Sequence, residues 1–187
     1  MQQMALKKIT EAQYLEEECR AEVKSEFYNG EIFAMAGASR RHNLIVANVI
    51  ITLGQQLKNK PCRVYPGDMR LRIEKTGLYT YPDVMVVCGQ EEFSDEKEDT
   101  LLNPTVIIEV LSDSTEEYNR GKKFWHYRQL NSLKEYILIS QKSQKIEKYF
   151  ISTNKQWTLA ETDEKHTSVV IESIGCVLNL ADVYDKI

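Results

Sequence analysis

The feature of this sequence that most constrains its fold is a strand, a helix and a second strand in succession between residues 105 and 140. Residues 105–111 (TVIIEVL) and 133–140 (LKEYILIS) are short apolar runs, as buried strands are. Residues 115–130 between them are predicted to be helical. Parallel neighbouring strands need a crossover, which a helix usually supplies. The pattern therefore predicts an α/β fold with at least one parallel pair of strands.

Hydrophobic periodicity and turn residues place the other predicted elements. One amphipathic helix is predicted at residues 9–20, and a longer one runs from the N-cap Ser39 to about residue 58. Asn29-Gly30 predicts a hairpin turn between strands at 26–28 and 31–35. Further strands are predicted at residues 69–74, 81–88, 145–152 and 156–161, with one or two more in 168–180. With no composition break, residues 1–187 are predicted to form one domain.

Composition excludes several classes of protein. The sequence has neither a signal peptide nor an apolar stretch of about 20 residues, so we expect a cytoplasmic protein that does not span a membrane. The formal charge of −4 lacks the basic signature of a passive nucleic-acid coat, so any contact with DNA must be a local patch. The four cysteines contain no C-x-x-C pair and are expected to be reduced thiols.

Two acidic residues interrupt the two most apolar strands. Asp83 precedes the run VMVV, and Glu109 lies inside TVIIEVL. An ionised carboxylate in an apolar strand is costly unless it is paired, hydrogen-bonded or bound to a cation. If the two strands are neighbours with these ends level, the carboxylates meet at one sheet edge and suit magnesium or manganese. Alternatively, Asp83 caps a turn and Glu109 faces a lysine or arginine.

Two lysines on the following helix could complete such a site. The predicted buried stripe of this helix consists of Tyr118, Gly121, Phe124 and Trp125. Lys122 and Lys123 flank that stripe on opposite sides, so one of them can point back over the strand end. A lysine beside two metal-binding carboxylates can hydrogen-bond an attacking water or offset charge on a phosphoryl group. Either lysine could instead simply be solvated.

Two long motifs, finally, resemble a known family. YPDVMVV is followed by P-x-x-x-I-E-V-L-S-x-S-T-E-x-Y-x-R-G-x-K-F-x-x-Y-R, and S-E-F-Y-N-G-E-I-F-A-M-A-G-A-S-x-x-H precedes the first long helix. Together these motifs span roughly residues 10–150 and resemble the Uma family of restriction-endonuclease-like proteins, which belongs to the PD-(D/E)xK nuclease superfamily. The resemblance implies an α-β-β-β-α-β core, a mixed sheet flanked by helices, with N-terminal and C-terminal β-hairpins added here.

The resemblance also implies roles for particular residues. It makes Asp83 and Glu109 the metal ligands, and His42 and Glu31 match further motif positions. His42 could orient metal, water or substrate, or it could be a core or capping histidine. In the superfamily a glutamate from the N-terminal region often completes the metal shell, which leaves Glu26 and Glu31 as alternatives here.

One position departs from the superfamily pattern. The third position of the (D/E)xK motif is Leu111 in this sequence, so the lysine is missing from its usual place. The Uma family resembles this sequence in carrying the lysine on the next helix, in R-G-x-K-F, which favours Lys123 over Lys122. The displacement leaves open whether the site is catalytically competent.

These observations predict a metal-dependent endonuclease that hydrolyses DNA phosphodiester bonds. Asp83, Glu109 and the backbone carbonyl of Val110 would bind one Mg²⁺, or Mn²⁺ as a substitute, and Lys123 would position the attacking water. The alternative is a catalytically inactive nuclease-fold protein that binds DNA or is associated with a mobile element. A hydrolase that uses His42 with a serine is disfavoured because the sequence has no G-x-S-x-G motif.

Self-association is also predicted. Enzymes that cut both strands of DNA commonly pair two sites by two-fold symmetry, so we expect a homodimer. Tyr149, Phe150 and Trp157 on the C-terminal hairpin form a candidate interface. Aromatic residues at strand spacing are nevertheless more often part of a core.

Overall fold

The computed structural model describes residues 8–187, which form three β-sheets with helices packed on them. The helices are α1 (Glu11–Glu18), α2 (Arg40–Leu57), α3 (Glu116–Tyr118), α4 (Phe124–Tyr127) and α5 (Leu180–Val183), with a π-helical turn (Asn119–Lys123) between α3 and α4. The strands are β1 (Ser25–Tyr28), β2 (Glu31–Ala34), β3 (Cys62–Pro66), β4 (Arg70–Ile73), β5 (Leu78–Thr80), β6 (Val84–Cys88), β7 (Thr100–Leu101), β8 (Val106–Leu111), β9 (Glu135–Ser140), β10 (Ile146–Ile151), β11 (Trp157–Glu161), β12 (Ser168–Ile171) and β13 (Cys176–Asn179). Residues 1–7, where the predicted domain begins and a signal peptide was sought, lie outside the described residues.

The largest sheet is mixed and has the order β11-β10-β9-β8-β6-β3. Its β8 and β9 are parallel, whereas its other neighbouring pairs are antiparallel. The helical segment between β8 and β9 is the crossover that the sequence predicts. The α/β prediction, a mixed sheet flanked by helices with added hairpins, is therefore confirmed.

Strand β8 separates two apolar layers because alternate residues of a strand point to opposite faces. Val106 and Ile108 join Val49 and Leu53 of α2 on one face. On the other face, Ile107 packs in the layer that contains the aromatic residues of α4. Burying an aliphatic side chain of this size contributes about 1.5–3 kcal/mol, so both layers fix β8 firmly.

A second sheet carries the N-terminal hairpin in the order β2-β1-β5-β4-β7. The predicted turn is present, with φ of +52° at Asn29 and +84° at Gly30, as a tight hairpin turn requires. The strand predicted at 81–88 starts too early. Leu78–Thr80 form β5 of the second sheet, and β6 of the largest sheet begins only at Val84. Pro82 lies between them and, lacking an N–H, cannot continue a ladder.

The helix predicted at 115–130 is interrupted by the π-helical turn. A π turn holds one residue more than an α turn, so the residues after it are rotated about the axis. Consequently the predicted stripe is correct for Phe124 but wrong for Trp125, which is 47% exposed, and for the exposed Gly121. Lys123 takes the inward position and is only 5% exposed.

The C-terminal part forms the predicted hairpin, β10 and β11, followed by a separate hairpin, β12 and β13. Two of the candidate interface residues pack inside the chain. The ring centroids of Tyr149 and Trp157 lie 4.5 and 5.3 Å from that of Phe124. Phe150 is half-buried, with Lys148 Nζ 4.7 Å from its ring. Tyr149 and Trp157 therefore serve the core.

One expectation about the cysteines is wrong. Cys62 and Cys88 are directly opposite on β3 and β6 and form a disulfide, while Cys19 and Cys176 are free. Opposed residues on adjacent strands are close enough to bridge, but the pairing register that opposes them is invisible in the sequence. None of the described helices has the length and apolar character needed to cross a membrane.

Candidate active site

Asp83 and Glu109, the two acidic residues of the apolar strands, lie opposite each other where β6 begins. Antiparallel pairing of Val84 with Ile108 places Asp83, one residue earlier, opposite Glu109. Glu109 is 3% exposed, whereas the Asp83 side chain retains 19% exposure. The strands are thus neighbours with these ends level, as the site hypothesis requires.

Asp83 is held by a backbone amide and a histidine. Its Oδ2 accepts a hydrogen bond of 2.7 Å from the N–H of Val110 and lies 3.1 Å from Nε2 of His42. His42 reaches this point from the first turn of α2, where its own N–H is capped by the Ser39 hydroxyl. Burial lowers the pKa of His42, but the hydrogen bond to Asp83 and the charges of Asp83 and Glu109 outweigh it, so the pKa is raised.

Glu109 contacts a lysine and a tyrosine from the segment that follows β8. Its Oε1 accepts a 2.6 Å hydrogen bond from the Tyr127 hydroxyl and lies 2.9 Å from Lys123 Nζ. Burial raises the pKa of Glu109 to about 7, with Lys123 opposing that rise and Asp83 adding to it. The pKa of Lys123 is raised despite burial, because two carboxylates face its ammonium group.

The second of those carboxylates is Glu26 of β1. Its Oε1 lies 3.0 Å from Lys123 Nζ and accepts a hydrogen bond from the Thr80 hydroxyl, and Oε2 accepts one of 3.1 Å from Tyr118. Burial raises the pKa of Glu26, but Lys123 and these hydrogen bonds lower it by a larger amount, so the net shift of the pKa is downward. Lys123 therefore joins the two large sheets through their carboxylates.

The cluster has the donor set of a hard-cation site. Within residues 8–187, Oδ1 of Asp83 and Oε2 of Glu109 accept no hydrogen bond, and the cluster holds three carboxylates but one lysine, which pairs with Glu26 and Glu109. Free carboxylate oxygens with excess negative charge suit Mg²⁺ or Mn²⁺. No three His, Cys, Asp or Glu side chains converge as metal ligands in the part of the chain that the structure describes. A cation here would therefore need backbone or water oxygens as well.

Not every predicted site residue lies in this cluster. Glu31 is exposed on the edge strand β2, opposite Tyr28, and its side chain contacts none of the clustered residues. Glu26 occupies the inward position instead, because it lies on the inner strand β1, whereas β2 is at the edge of the sheet. Lys122 is likewise exposed, so of the two pairs of alternatives the structure brings Lys123 and Glu26 into the cluster.

Sequence reasoning missed the two tyrosines of the cluster. Tyr127 follows Lys123 by four residues on a helix, a spacing that puts both side chains on one face. That spacing could have identified Tyr127. Tyr118 precedes Lys123 by five residues, and only the π turn brings these two onto one side. Both tyrosines belong to the motif E-x-Y-x-R-G-x-K-F-x-x-Y quoted above.

Comparisons with known proteins agree with this architecture. A family model described as "Uma2: Putative restriction endonuclease" matches residues 12–181. Two uncharacterized proteins of Synechocystis sp. (strain ATCC 27184 / PCC 6803 / Kazusa) are similar: sll1609 is 39% identical over 82% of this chain and 86% of its own length, and slr1290 is 33% identical over 95% and 92%. The crystal structure of a "putative nuclease belonging to DUF820" from Anabaena variabilis ATCC 29413 superposes with a TM-score of 0.70 at 19% identity, covering 88% of this chain and 91% of that one. At this identity the structural likeness concerns the fold.

Proposed function

The chain belongs to the Uma2 family, and from that membership and the geometry of the cluster we propose that it is a metal-dependent endonuclease hydrolysing DNA phosphodiester bonds. The observation that carries the proposal is the convergence of Asp83, Glu109 and Lys123 at one strand end, with two carboxylate oxygens that accept no hydrogen bond from residues 8–187. A carboxylate pair that can hold a divalent cation, beside a lysine that can donate to a phosphate oxygen, supports phosphodiester hydrolysis.

The residues that would hold the cation are Asp83 and Glu109, joined by the carbonyl of Val110. The N–H of Val110 points toward Asp83, and in a strand the C=O of the same residue points to the same side. The chemistry that Mg²⁺ or Mn²⁺ supplies when bound is a lowered pKa of a coordinated water and polarisation of the scissile phosphate.

The remaining residues act on these carboxylates and on the water. Lys123 stays protonated and so can donate to the attacking water or to a phosphate oxygen. Tyr127 and Lys123 both engage Oε1 of Glu109, so that Oε2 would be the oxygen that binds the cation. His42 and the Val110 amide fix Asp83 in the same way through its Oδ2.

A second candidate is a catalytically inactive DNA-binding protein on the same fold. The observation that favours it is the double pairing of Lys123, whose ammonium already neutralises part of the charge of Glu26 and Glu109 without a metal. Such a protein would bind DNA in a salt-sensitive manner, unaffected by EDTA, and give no cleavage products with any divalent metal.

Cleavage of supercoiled plasmid in Mg²⁺ or Mn²⁺ tests the first proposal. We expect nicking or linearisation that EDTA abolishes and that Glu109→Gln reduces at least about a hundredfold. Glu135→Gln is the matched control, because Glu135 is a buried carboxylate paired with a lysine outside the cluster. Products that persist in Glu109→Gln, or intact plasmid from the folded wild-type protein with either metal, would contradict the proposal.

The same assay resolves the two N-terminal glutamates. Glu26→Gln should slow cleavage because it removes one of the carboxylates that hold Lys123 in place, whereas Glu31→Gln should leave the rate unchanged because Glu31 is exposed on β2. Equal effects of the two variants would remove Glu26 from the mechanism.

Light scattering of the intact protein tests the predicted homodimer, for which a molar mass twice that of the 21.7 kDa chain is expected.

A further inference from the structure

The exposed aromatic side chains of this protein are gathered beside the candidate active site. Among residues 8–187, the aromatic residues with the largest exposure are Tyr28 (36%), Phe33 (49%) and Trp125 (47%). The other large aromatic residues are buried or half-buried. Scattered single exposed apolar residues need no explanation, but a cluster of the largest ones does.

The pairing register fixes the position of Phe33. Phe33 on β2 is directly opposite Glu26 on β1, and opposed residues of an antiparallel pair project from the same face of the sheet. Glu26 is the carboxylate that contacts Lys123. The exposed ring of Phe33 therefore lies on the active-site face, one strand out from the cluster.

A chain of ring contacts extends this face toward the helix. Tyr28 shares the face of Glu26 because it is two residues further along β1. The ring of His126 lies 4.7 Å from that of Tyr28 and 4.8 Å from that of Trp125, and both contacts are edge to face. His126 is itself buried, with Nδ1 2.9 Å from the Thr76 hydroxyl, so the contacts that link the two exposed rings rest on a fixed residue.

The exposed charges near these rings include two cations on the helical segment and the carboxylate of Glu31, which is opposite Tyr28 on β2. Lys122 and Arg128 are exposed on the helical segment that carries Trp125. The chain as a whole carries a formal charge of −4, which disfavours a broad electrostatic grip on a duplex. Non-specific single-strand binding commonly combines a few cations along the backbone with aromatic rings on which bases stack.

We propose that Phe33, Tyr28 and Trp125 form a stacking platform for unpaired bases of single-stranded DNA, which leads the strand to the candidate active site. The choice of DNA rests on the proposed nuclease function. In a duplex the faces of the bases are covered by their neighbours, so only unpaired bases can stack on these rings. The preferred substrate is then a single strand, an overhang or a frayed end.

Binding measured without catalysis tests this platform. Fluorescence anisotropy of a labelled oligothymidine of about 20 nucleotides, in EDTA, should show binding that Phe33→Ala or Trp125→Ala each weakens about tenfold. Phe33→Tyr and Trp125→Phe should retain it, because a ring is still present. Leu159→Ala is the matched control, since Leu159 on β11 is also 47% exposed and its loss should have no effect.

The outcomes separate this platform from the proposed nuclease. Loss of single-strand binding in both alanine variants, with neither plasmid nor oligothymidine cut by the wild type in Mg²⁺ or Mn²⁺, would support the platform while contradicting the nuclease. Binding to the matching duplex at least as tight as to the single strand, or binding unchanged by either alanine variant, would overturn the platform even if plasmid is cut. Tighter binding of oligouridine would overturn the assignment to DNA. A dimer that Phe33→Ala dissociates without changing oligothymidine binding would assign this face to a second copy of the chain and overturn the platform.

Discussion

Among residues 8–187, two lysines are buried beside carboxylates, and the two clusters differ in how many of their carboxylate oxygens accept hydrogen bonds. Lys123 is 5% exposed between Glu26 and Glu109, and Lys148 on β10 is 4% exposed beside Glu135 of β9. Each cluster includes a buried glutamate of the largest sheet, Glu109 on β8 and Glu135 on β9. A buried lysine with a carboxylate therefore does not by itself identify a site.

In the Lys148 cluster both oxygens of the buried carboxylate have donors. The backbone N–H groups of Glu172 and Ser173, with the Ser173 hydroxyl, bind Glu135, and Lys148 also donates to the carbonyl of Val170. In the Lys123 cluster, by contrast, Asp83 and Glu109 each keep one oxygen without a donor within residues 8–187. The comparison indicates that free acceptor capacity distinguishes a site for a ligand from a structural ion pair.

Removal of each lysine gives the largest expected effect and tests that distinction. In EDTA, Lys123→Met should lower the free energy of unfolding by about 3–5 kcal/mol, because it leaves Glu26 and Glu109 without their shared ammonium. Lys148→Met should cost only about 1.5–3 kcal/mol, because Glu135 keeps its other donors. Urea unfolding measures both.

Magnesium sharpens the same experiment. Excess Mg²⁺ should recover part of the stability lost in Lys123→Met, because a cation can replace the missing positive charge, and should leave Lys148→Met unchanged. Equal losses in the two variants, with no response to Mg²⁺ in either, would mean that the clusters are equivalent and that the free oxygens do not bind a metal.

The pH dependence of stability gives the next largest effect. The pKa of Glu109 in the metal-free folded protein, about 7, lies above its unfolded value of 4.5, so the folded state keeps a proton that the unfolded chain releases. The stability from this group is complete below pH 4.5 and is lost as the pH rises through about 7. The expected loss is about 2–3 kcal/mol, measured by urea unfolding in EDTA.

Two glutamine variants isolate that loss. Glu109→Gln should remove most of this decline, whereas Glu135→Gln should change it less. Burial raises the pKa of Glu135 too, but the donors from Ser173 favour its charged form and oppose part of that rise. Parallel pH profiles for wild type and Glu109→Gln would show that Glu109 does not titrate in this range.

The smallest expected effect compares two buried tyrosines that touch each other. Tyr127 donates to Glu109, whereas Tyr136 donates to the backbone carbonyl of Asn119 at 3.1 Å. Tyr127→Phe should cost about 1–2 kcal/mol and slow cleavage about tenfold by loosening Glu109, and Tyr136→Phe should cost about 1 kcal/mol without affecting the rate. The readouts are urea unfolding and the plasmid assay over a range of Mg²⁺ concentrations. A similar loss of activity in both variants would assign Tyr127 a packing role only.

The strand that carries each acid could be predicted because alternation is a local property of the chain. Asp83 and Glu109 stood out as polar residues in apolar strands, and the strand–helix–strand order predicted the parallel pair β8 and β9. The family motifs then pointed to Lys123 on the next helix. These inferences needed no knowledge of how distant segments pack.

Other parts of the site depended on packing. Residues Glu26 and Glu31 are equivalent by sequence, and only the place of β2 at the edge of its sheet separates them. Lys123 faces inward because one π-helical turn precedes α4. The i→i+5 hydrogen bonds of such a turn cannot be inferred from the periodicity of apolar residues in the sequence. The second lysine cluster and the opposed Cys62 and Cys88 likewise follow from strand registers.

The sequence by itself thus determined which strands are buried, which acidic residues interrupt their apolar pattern and which family the motifs resemble. Only the tertiary structure decided that Glu26 and Lys123 complete the cluster, that Trp125 faces solvent and that one oxygen each of Asp83 and Glu109 accepts no hydrogen bond from residues 8–187. The physical reason is that burial patterns are written residue by residue along the chain, whereas register, helix rotation and acceptor use are set by contacts between segments far apart in sequence.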